Sequence, residues 1–441
     1  MRKFSRGWSR RLALSWRKGL VLGAVATFVA ATSAACGGSG SAGGSGAQTP
    51  LGKDDTLTIT TFSDFGYADL IEKWNADPNR PFKVQPTVIA DWDPWKATLN
   101  SDLQAGTGLT DIVAIEGDAM PQFLAPGASD QFVDISDPSL NGRWIEYKYK
   151  AGQTADGKQI GYPTDAGPEG ICYRADLLAR AGLPTNRDDV AKLFSSWDSY
   201  FQAGQTFVSK VPGVHWYDAS NTISQAMLNQ TKYPFQTADN KVNVDNPELK
   251  NVYDTVTKYV PTLSTKVEQW GDDWKAGFAN STVATIPCPG WMFANIKEAA
   301  PNVTGWDFAD VFPGGGGNWG GSFLAVPQQS KHQAEAKRFA NWLTDAAQES
   351  AAFEKAGNYP ANIAAEQELV SKNATDSYFN NAPTASILAN RAKAVQPGLP
   401  YKGDKYSDIL GLFQSAIQRV DQGTDPAASW QTFVQAVGQL S

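Results

Sequence analysis

The sequence contains few of the side chains on which metal and nucleophilic catalysis depend. Its 441 residues include only two histidines, His215 and His332, and three cysteines. None of the motifs H-E-x-x-H, C-x-x-C and G-x-S-x-G occurs, although zinc enzymes and serine hydrolases need such groups at defined spacings. We therefore expect no metal site, no cofactor and no catalytic residue.

Positive charge is scarce beyond the start of the chain. The formal net charge is −7, yet the first 35 residues contain seven basic residues and no acidic ones. Removing seven positive charges from −7 leaves −14 on the remainder. Because nucleic-acid binding requires basic surface that neutralises phosphates, a domain this acidic is not expected to bind DNA or RNA.

The chain also lacks an apolar run that would make a convincing membrane span. Residues 1–18 are basic and residues 19–35 are apolar but rich in alanine and glycine, which is the pattern of an export signal. Small residues precede Cys36, as in a bacterial lipobox, and residues 36–52 read as a flexible Gly/Ser-rich tether. We predict a signal peptide over residues 1–35 and lipidation of Cys36; cleavage beside an incidental cysteine is the alternative.

The two remaining cysteines, Cys172 and Cys288, lie in strand-like segments. Outside the cytoplasm, an even pair of cysteines is more often bridged than free. We expect a disulfide between neighbouring strands; two separately buried thiols are the alternative.

Strand-like and helix-like segments alternate along the mature chain, which is typical of a parallel α/β sheet covered on both faces. The predicted strands include residues 57–62, 82–89, 111–116, 282–287 and 322–326. Residues 159–163 and 170–174 are predicted to form a pair of strands, and two amphipathic helices are predicted near the C-terminus.

The order of these segments resembles the family 1 extracellular solute-binding proteins, over nearly all of residues 55–441. The segments that carry the resemblance are LQAGTGLTDIVAIEGD (103–118), IGYPTDAGPEGICYRADLLARAGLP (160–184), WKAGFANSTVATIPCPGWM (274–292), GGSFLAVPQQSKHQAEAKRFANWLTD (320–345) and AGNYPAN (356–362). The resemblance implies a two-lobed periplasmic-binding-protein-like α/β fold, with hinge strands and an intervening ligand cleft. The implied first lobe is 53–163 plus 311–365, and the second is 164–310 plus 366–441.

The same resemblance implies a function. The chain is expected to be the substrate-binding lipoprotein of a bacterial carbohydrate ABC importer, and not an enzyme. It would bind a di- or oligosaccharide reversibly and deliver it to the transmembrane subunits of the permease. We expect a monomer held by its lipid anchor at the outer face of the cytoplasmic membrane.

The 15 tryptophans and the acidic composition suit a sugar ligand, because the CH face of a pyranose stacks on flat rings while its hydroxyls bond to charged groups. Trp92 and Trp95 lie beside two aspartates, in a segment that we read as a loop leading into a helix over residues 95–103; packing of Trp95 against that helix is the alternative. Glu116 and Asp118 lie at the carboxyl end of the predicted strand 111–116, where ligands of α/β proteins bind; capping of a helix by Asp118 is the alternative. These four residues are candidates for contact with the sugar.

Further candidates come from other segments. Trp270 is four residues before Trp274 on a predicted helix, and Trp319 lies in the glycine-rich residues 314–321. The family resemblance implies ligand contacts for Asp165, Trp291 and Tyr359. A weaker set of candidates is Trp216, Tyr217 and Asp218.

Two alternatives remain open at this point. A secreted glycoside hydrolase would also combine aromatic rings with a pair of carboxylates, for which Glu116 and Asp165 are the available pair. The same fold could instead bind a non-sugar solute such as a polyamine, since aromatic rings and acids attract cations.

Overall fold

The computed structural model describes residues 50–396 and 398–440; the predicted export signal, Cys36 and most of the tether lie outside them. In this part of the chain, nine strands form two sheets, and each sheet is the centre of one α/β lobe. The strands are β1 (Thr56–Phe62), β2 (Lys83–Ile89), β3 (Ile112–Glu116), β4 (Gly161–Pro163), β5 (Glu169–Arg174), β6 (His215–Tyr217), β7 (Val283–Pro289), β8 (Trp306–Ala309) and β9 (Ser322–Ala325).

The sheet of the first lobe has the order β2-β1-β3-β9-β4. β1 runs parallel to β2 and β3, whereas β9 is antiparallel to β3 and β4. The sheet is mixed, and not parallel throughout as expected, because β9 enters after the chain has passed through the second lobe. Ile112–Ile115 of β3 are fully buried, since helices cover both faces of this central strand.

The sheet of the second lobe has the order β6-β7-β5-β8. Cys172 of β5 and Cys288 of β7 are both buried and form a disulfide. The expected strand pair 159–163 and 170–174 is wrong, because β4 pairs with β9 in the first sheet while β5 pairs with β7 and β8 in the second. The chain crosses between the lobes at this point.

Helices surround both sheets. They are α1 (Ala68–Ala76), α2 (Trp92–Ala105), α3 (Met120–Leu124), α4 (Glu146–Lys150), α5 (Ala175–Arg180), α6 (Arg187–Leu193), α7 (Trp197–Lys210), α8 (Ser220–Leu228), α9 (Pro247–Leu263), α10 (Asp272–Ala279), α11 (Met292–Ala299), α12 (Gln333–Leu343), α13 (Ala346–Ala356), α14 (Ile363–Ser371), α15 (Thr384–Ala394), α16 (Tyr406–Asp421) and α17 (Pro426–Val437). The two amphipathic helices near the C-terminus are present as α16 and α17. Among the described residues, no helix is both long enough and apolar enough to cross a membrane.

α16 shows how the sequence produces this packing. Ile409, Phe413 and Ile417 recur at helical spacing and are fully buried in the core of the second lobe. The residues after Lys405 therefore belong to the second lobe, and this lobe includes the end of the described chain.

Two segments cross between the lobes side by side, residues 163–169 and 309–322. Trp319 N donates to the carbonyl of Gly167 at 2.8 Å, and a side-chain carbon on Gly167 would lie only 1.8 Å from Trp319 O. Glycine is therefore required at this crossing. Val311 and Phe312 pack in the core of the second lobe, so the return to the first lobe comes later than the expected boundary at residue 311.

Candidate functional site

Four tryptophans from distant parts of the sequence form a group that we call the tryptophan cluster: Trp270, Trp274, Trp291 and Trp319. The ring centroids of Trp291 and Trp319 lie 4.9 Å apart, and the Trp270 centroid lies 6.0 and 6.1 Å from them. Trp274 lies 4.9 Å from Trp270 and is 1% exposed. The structure thus brings together three predicted ligand residues, with Trp274 as their buried neighbour.

The backbone positions two of these rings directly. Trp291 follows β7 and forms the N-cap of α11, while Trp319 lies on the crossing segment beside Gly167. Trp291 Nε1 donates to Trp319 O at 3.1 Å. Because Trp291 belongs to the second lobe and Trp319 to the crossing segment, the cluster lies where the two lobes meet.

Trp270 differs from its neighbours in exposure and in backbone conformation. It is 42% exposed, whereas Trp319 is 9% exposed. Its φ is +72°, a left-handed conformation that is rare for a bulky residue and costs energy. Trp270 therefore offers an accessible ring at the outer side of the cluster.

Glu116 brings a carboxylate of the first lobe to the tryptophan cluster. A side-chain carbon on Gly320 would lie 3.4 Å from Glu116 Oε1 and 3.8 Å from Trp291 Nε1, so Glu116 and Trp291 flank the same glycine. Glu116 Oε2 accepts from the backbone N–H of Asp118 at 2.7 Å. Burial and the nearby Asp118 carboxylate raise the pKa of Glu116 above its ordinary value.

Two ion pairs join the lobes near Glu116. Asp118, which is 5% exposed, forms an ion pair and hydrogen bond with Lys402, and Lys402 precedes α16 of the second lobe. Lys96 Nζ in α2 lies 2.9 Å from Asp408 Oδ1 in α16. Contact between lobes at this side is thus ionic.

Lys148 and Asp165 add two buried charges beside the crossing. Lys148 Nζ donates to Gly320 O at 3.4 Å, and burial lowers the pKa of Lys148 below its ordinary value. Asp165 Oδ1 accepts from the Ser322 N–H at 2.8 Å and from the Thr164 hydroxyl at 2.6 Å. Burial raises the pKa of Asp165. Through these hydrogen bonds, Asp165 links the end of β4 to the start of β9.

Sequence reasoning missed Lys148, Lys402 and Glu169. Glu169 is fully buried, its Oε2 accepts from Asn229 Nδ2 at 2.8 Å, and burial raises its pKa to about 8. The sequence does indicate Glu169 as a candidate, because it is an acidic residue four positions after Asp165 in a segment that carries the family resemblance. No sequence pattern indicates Lys148 or Lys402, because only the folded chain brings these lysines close to the acidic residues.

The segment DWDPW (residues 91–95) is the start of a helix, and not the loop that we expected. Asp91 is the N-cap of α2, so Trp92 and Trp95 fall in its first turn. Trp92 is half-buried against Phe62, with ring centroids 5.0 Å apart. Trp95 is 3% exposed and its Nε1 donates to Ala114 O at 2.8 Å, so it anchors α2 to β3 and offers no surface to a ligand.

Tyr359 is also buried, with 1% exposure. Its hydroxyl donates to Glu366 Oε2 at 2.6 Å, and its carbonyl accepts from the Ala166 N–H at 2.8 Å. Tyr359 thus supports the crossing segment from within. The weaker candidates Trp216, Tyr217 and Asp218 are fully buried as well.

The arrangement combines flat rings with carboxylates and ammonium groups at the junction of two lobes. Rings bind apolar CH faces, and buried charged groups form strong hydrogen bonds to hydroxyls. Such a site is suited to hold a neutral polyhydroxylated molecule.

Comparison with known proteins agrees with this geometry. The family described as bacterial extracellular solute-binding protein matches residues 69–380. The arabinooligosaccharide-binding protein of Bacillus subtilis (strain 168) is 25% identical over 324 residues, which cover 67% of this chain and 71% of that protein. The lactose-binding protein of Rhizobium radiobacter is 25% identical over 263 residues, with coverage of 56% and 60%.

Solved structures share the fold over most of their length. A crystal structure described as an extracellular solute-binding protein of family 1 is 39% identical, has a TM-score of 0.77, and covers 86% of this chain and 98% of its own. An ABC-transporter-associated binding protein from B. animalis subsp. lactis Bl-04, in complex with beta-1,6-galactobiose, has a TM-score of 0.73 at 22% identity, with coverage of 87% and 97%. These similarities support a binding protein and lend nothing to the hydrolase alternative. The chain belongs to the bacterial extracellular solute-binding protein family, whose members are exported binding proteins and not enzymes.

Proposed function

We propose that this protein is the substrate-binding component of a bacterial carbohydrate ABC importer. It binds a di- or oligosaccharide between its lobes and releases it to the transmembrane subunits of the permease. The observation that carries the proposal is the tryptophan cluster beside Glu116, at the junction of the lobes.

The proposed contacts divide by chemistry. Trp270, Trp291 and Trp319 stack on CH faces of the sugar, with Trp92 as a further ring on the first lobe. The charged groups Glu116, Asp118 and Asp165 bond to hydroxyls directly or through water. Trp95 and Tyr359 are left out of the contact set because protein atoms occupy both their rings and their polar groups.

The energies are sufficient for useful affinity. A ring that covers a few tens of Å² of CH surface contributes roughly 1 kcal/mol, at ~25 cal/mol per Å². Several rings and several charge-assisted hydrogen bonds then reach about −8 kcal/mol, which corresponds to a micromolar dissociation constant.

Binding is coupled to movement of the lobes. A ligand that contacts both lobes stabilises the closed arrangement relative to the open one, and the permease distinguishes the two. The ion pairs Asp118–Lys402 and Lys96–Asp408 already join the lobes. We propose that they add to closure once the sugar is bound.

Isothermal titration calorimetry with a panel of purified sugars tests the proposal. The panel contains arabinobiose, arabinotriose, lactose, beta-1,6-galactobiose, maltose and their monosaccharides, together with the polyamines putrescine and spermidine. We expect saturable binding of at least one di- or oligosaccharide, and clearly weaker binding of that sugar in Trp291→Ala. Binding of a polyamine alone would replace the proposal with the cation alternative.

Two controls accompany the titration. Trp430→Phe alters a tryptophan of α17 that packs against Tyr253 in the second lobe, and it should leave the affinity unchanged. Chromatography of each sugar after prolonged incubation should show no cleavage; turnover that disappears in Glu116→Gln would establish the hydrolase alternative.

We further propose that Cys36 carries the lipid that holds the monomeric protein at the outer face of the cytoplasmic membrane. The support is the lipobox-like sequence before Cys36 and the Gly/Ser-rich segment after it. Cys36→Ala should release the protein from the membrane fraction and abolish labelling by radioactive palmitate. Retention and labelling of the variant would contradict the anchor.

A further inference from the structure

The loop that carries Trp270 is attached at several points to one buried residue, Asp218. This loop, which we call the Trp270 loop, covers residues 264–271 between α9 and α10. Two of its residues, Lys266 and Trp270, have positive φ values of +62° and +72°. Such backbone persists only where the surrounding structure enforces it.

Asp218 lies at the end of β6, is fully buried, and plays no part in the proposed ligand contacts. Its Oδ2 accepts from Trp274 Nε1 at 2.7 Å and from the Thr222 hydroxyl at 2.7 Å. Thr222 Oγ1 in turn accepts from Gln269 Nε2 at 2.9 Å. The backbone carbonyl of Asp218 accepts from the hydroxyl of Thr265.

These bonds reach Trp270 from two directions. Gln269 directly precedes Trp270 in the chain, and Trp274 contacts the Trp270 ring with centroids 4.9 Å apart. One carboxylate oxygen therefore restrains, through Thr222, the side chain of the residue before Trp270, and also holds the Trp274 ring that contacts Trp270. Hydrogen bonds to a carboxylate are about twice as strong as neutral ones, which suits a group that must hold a strained loop.

We propose that Asp218 is a positioning residue that holds Trp270 at the outer side of the tryptophan cluster, where the ring stacks on a second sugar unit. The stacking part rests on the proposed function; the positioning part does not. Trp270 is the exposed member of the cluster, so a sugar unit bound against Trp291 and Trp319 leaves Trp270 available to the next unit of the chain.

Thr222→Val is the sharpest variant, because it keeps the side-chain size and removes only the hydroxyl between Gln269 and Asp218. Asp218→Asn is the second variant, and it removes the charge. The matched control is Glu349→Gln in the first lobe, since Glu349 is a buried carboxylate that also accepts from an indole N–H, that of Trp144 at 3.3 Å. Thermal melts are used to check that each variant is folded.

The first measurement needs no sugar. The fluorescence of Trp270 is obtained as the difference between a protein and its Trp270→Phe counterpart, and its quenching by iodide is measured. We expect quenching to increase in Thr222→Val and Asp218→Asn and to stay unchanged in Glu349→Gln. Equal quenching in all backgrounds would overturn the positioning role.

The second measurement uses the tightest-binding sugar of the panel and its constituent monosaccharide. Trp270→Ala and Thr222→Val should each lower the affinity for the longer sugar by up to about tenfold, the effect of one lost stacking contact. The affinity for the monosaccharide should stay unchanged. The double variant should be no weaker than Trp270→Ala alone, because both changes remove one interaction. The stacking part would be overturned if the double variant lost affinity by the product of the two single effects. It would also be overturned if the affinities for the two sugars fell equally. Absence of any sugar binding would reject the proposed function while the quenching result still decides the positioning.

Discussion

The two lobes contribute different chemistry to their junction. The first lobe brings charged groups, with Glu116 and Asp118 after β3 and Lys148 in α4. The second lobe brings indole rings, with Trp270, Trp274 and Trp291 around α10 and α11. Since most of the charged groups come from the first lobe and most of the indole rings come from the second, we expect full affinity for a sugar to require that the lobes come together.

The lobes also differ in how they are stabilised. A buried disulfide joins β5 to β7 in the second lobe, whereas the described part of the first lobe contains no cysteine. The cross-link lies in the lobe that holds the strained Trp270 loop and the buried Asp218.

The largest expected effect comes from removing this cross-link. Cys172→Ala/Cys288→Ala opens a linkage between residues separated by 116 positions, and the loss of a native disulfide costs about 2–5 kcal/mol. We expect the second lobe to unfold first, so that calorimetry shows two transitions where the wild type shows one. A single transition at an unchanged temperature would contradict the difference between the lobes.

The next effect tests the division of chemistry. Trp291→Ala removes a stacking ring and its hydrogen bond to Trp319 O, and should weaken sugar binding by about thirtyfold or more, close to 2 kcal/mol. Glu116→Gln keeps the shape of the side chain and should weaken sugar binding by about tenfold. Calorimetry measures both. The reverse ranking would show that hydrogen bonding, and not stacking, dominates the site.

A smaller effect concerns pH and Glu169 of the second lobe. Burial raises the pKa of Glu169 to about 8, so the folded protein keeps a proton that the unfolded chain loses at lower pH. This contribution to stability is present in acid and is lost as the pH rises toward about 8. Glu169→Gln mimics the protonated acid and does not lose this contribution. The free energy of unfolding of the variant, relative to that of the wild type, should therefore increase from about pH 5 to about pH 8. Urea unfolding at both values checks this, and a difference that is constant with pH would contradict it.

The smallest effect is expected at the edge of the junction. Lys96 and Asp408 are paired, but the Asp408 side chain is 51% exposed, and such a pair is worth about 0.2–1 kcal/mol. Lys96→Ala should therefore change sugar affinity by less than about fivefold. Lys402→Met, which removes the buried pair with Asp118, should change it more. If the two variants are equivalent in titration, burial does not set the strength of contact between the lobes.

Much of the fold follows from local sequence pattern. Alternation and apolar runs indicated β1 and β3, and helical periodicity indicated α16, because each of these elements buries a face that its own residues specify. The family resemblance indicated Trp291, and the glycine-rich segment indicated Trp319, which the structure brings together.

The remaining features depend on contacts between distant residues. In sequence, Trp92 reads as a loop residue and Trp95 as the start of a helix. Asp91 starts α2 earlier than that, so Trp92 lies in the first turn and Trp95 lies in the core. Lys402 reaches Asp118 across 284 positions, and no local pattern carries that pairing. The mixed first sheet likewise depends on β9, which returns from the other lobe.

The close approach at Gly167 has an optical consequence. The carbonyl oxygen of Trp319 faces Gly167 across the crossing and also accepts the indole N–H of Trp291. If the lobes rotate against each other as proposed, we expect this hydrogen bond of the Trp291 indole to change, and the indole emission to change with it. We expect the indole emission to report the proposed opening and closing, so that time-resolved spectroscopy would follow the lobes without any attached dye.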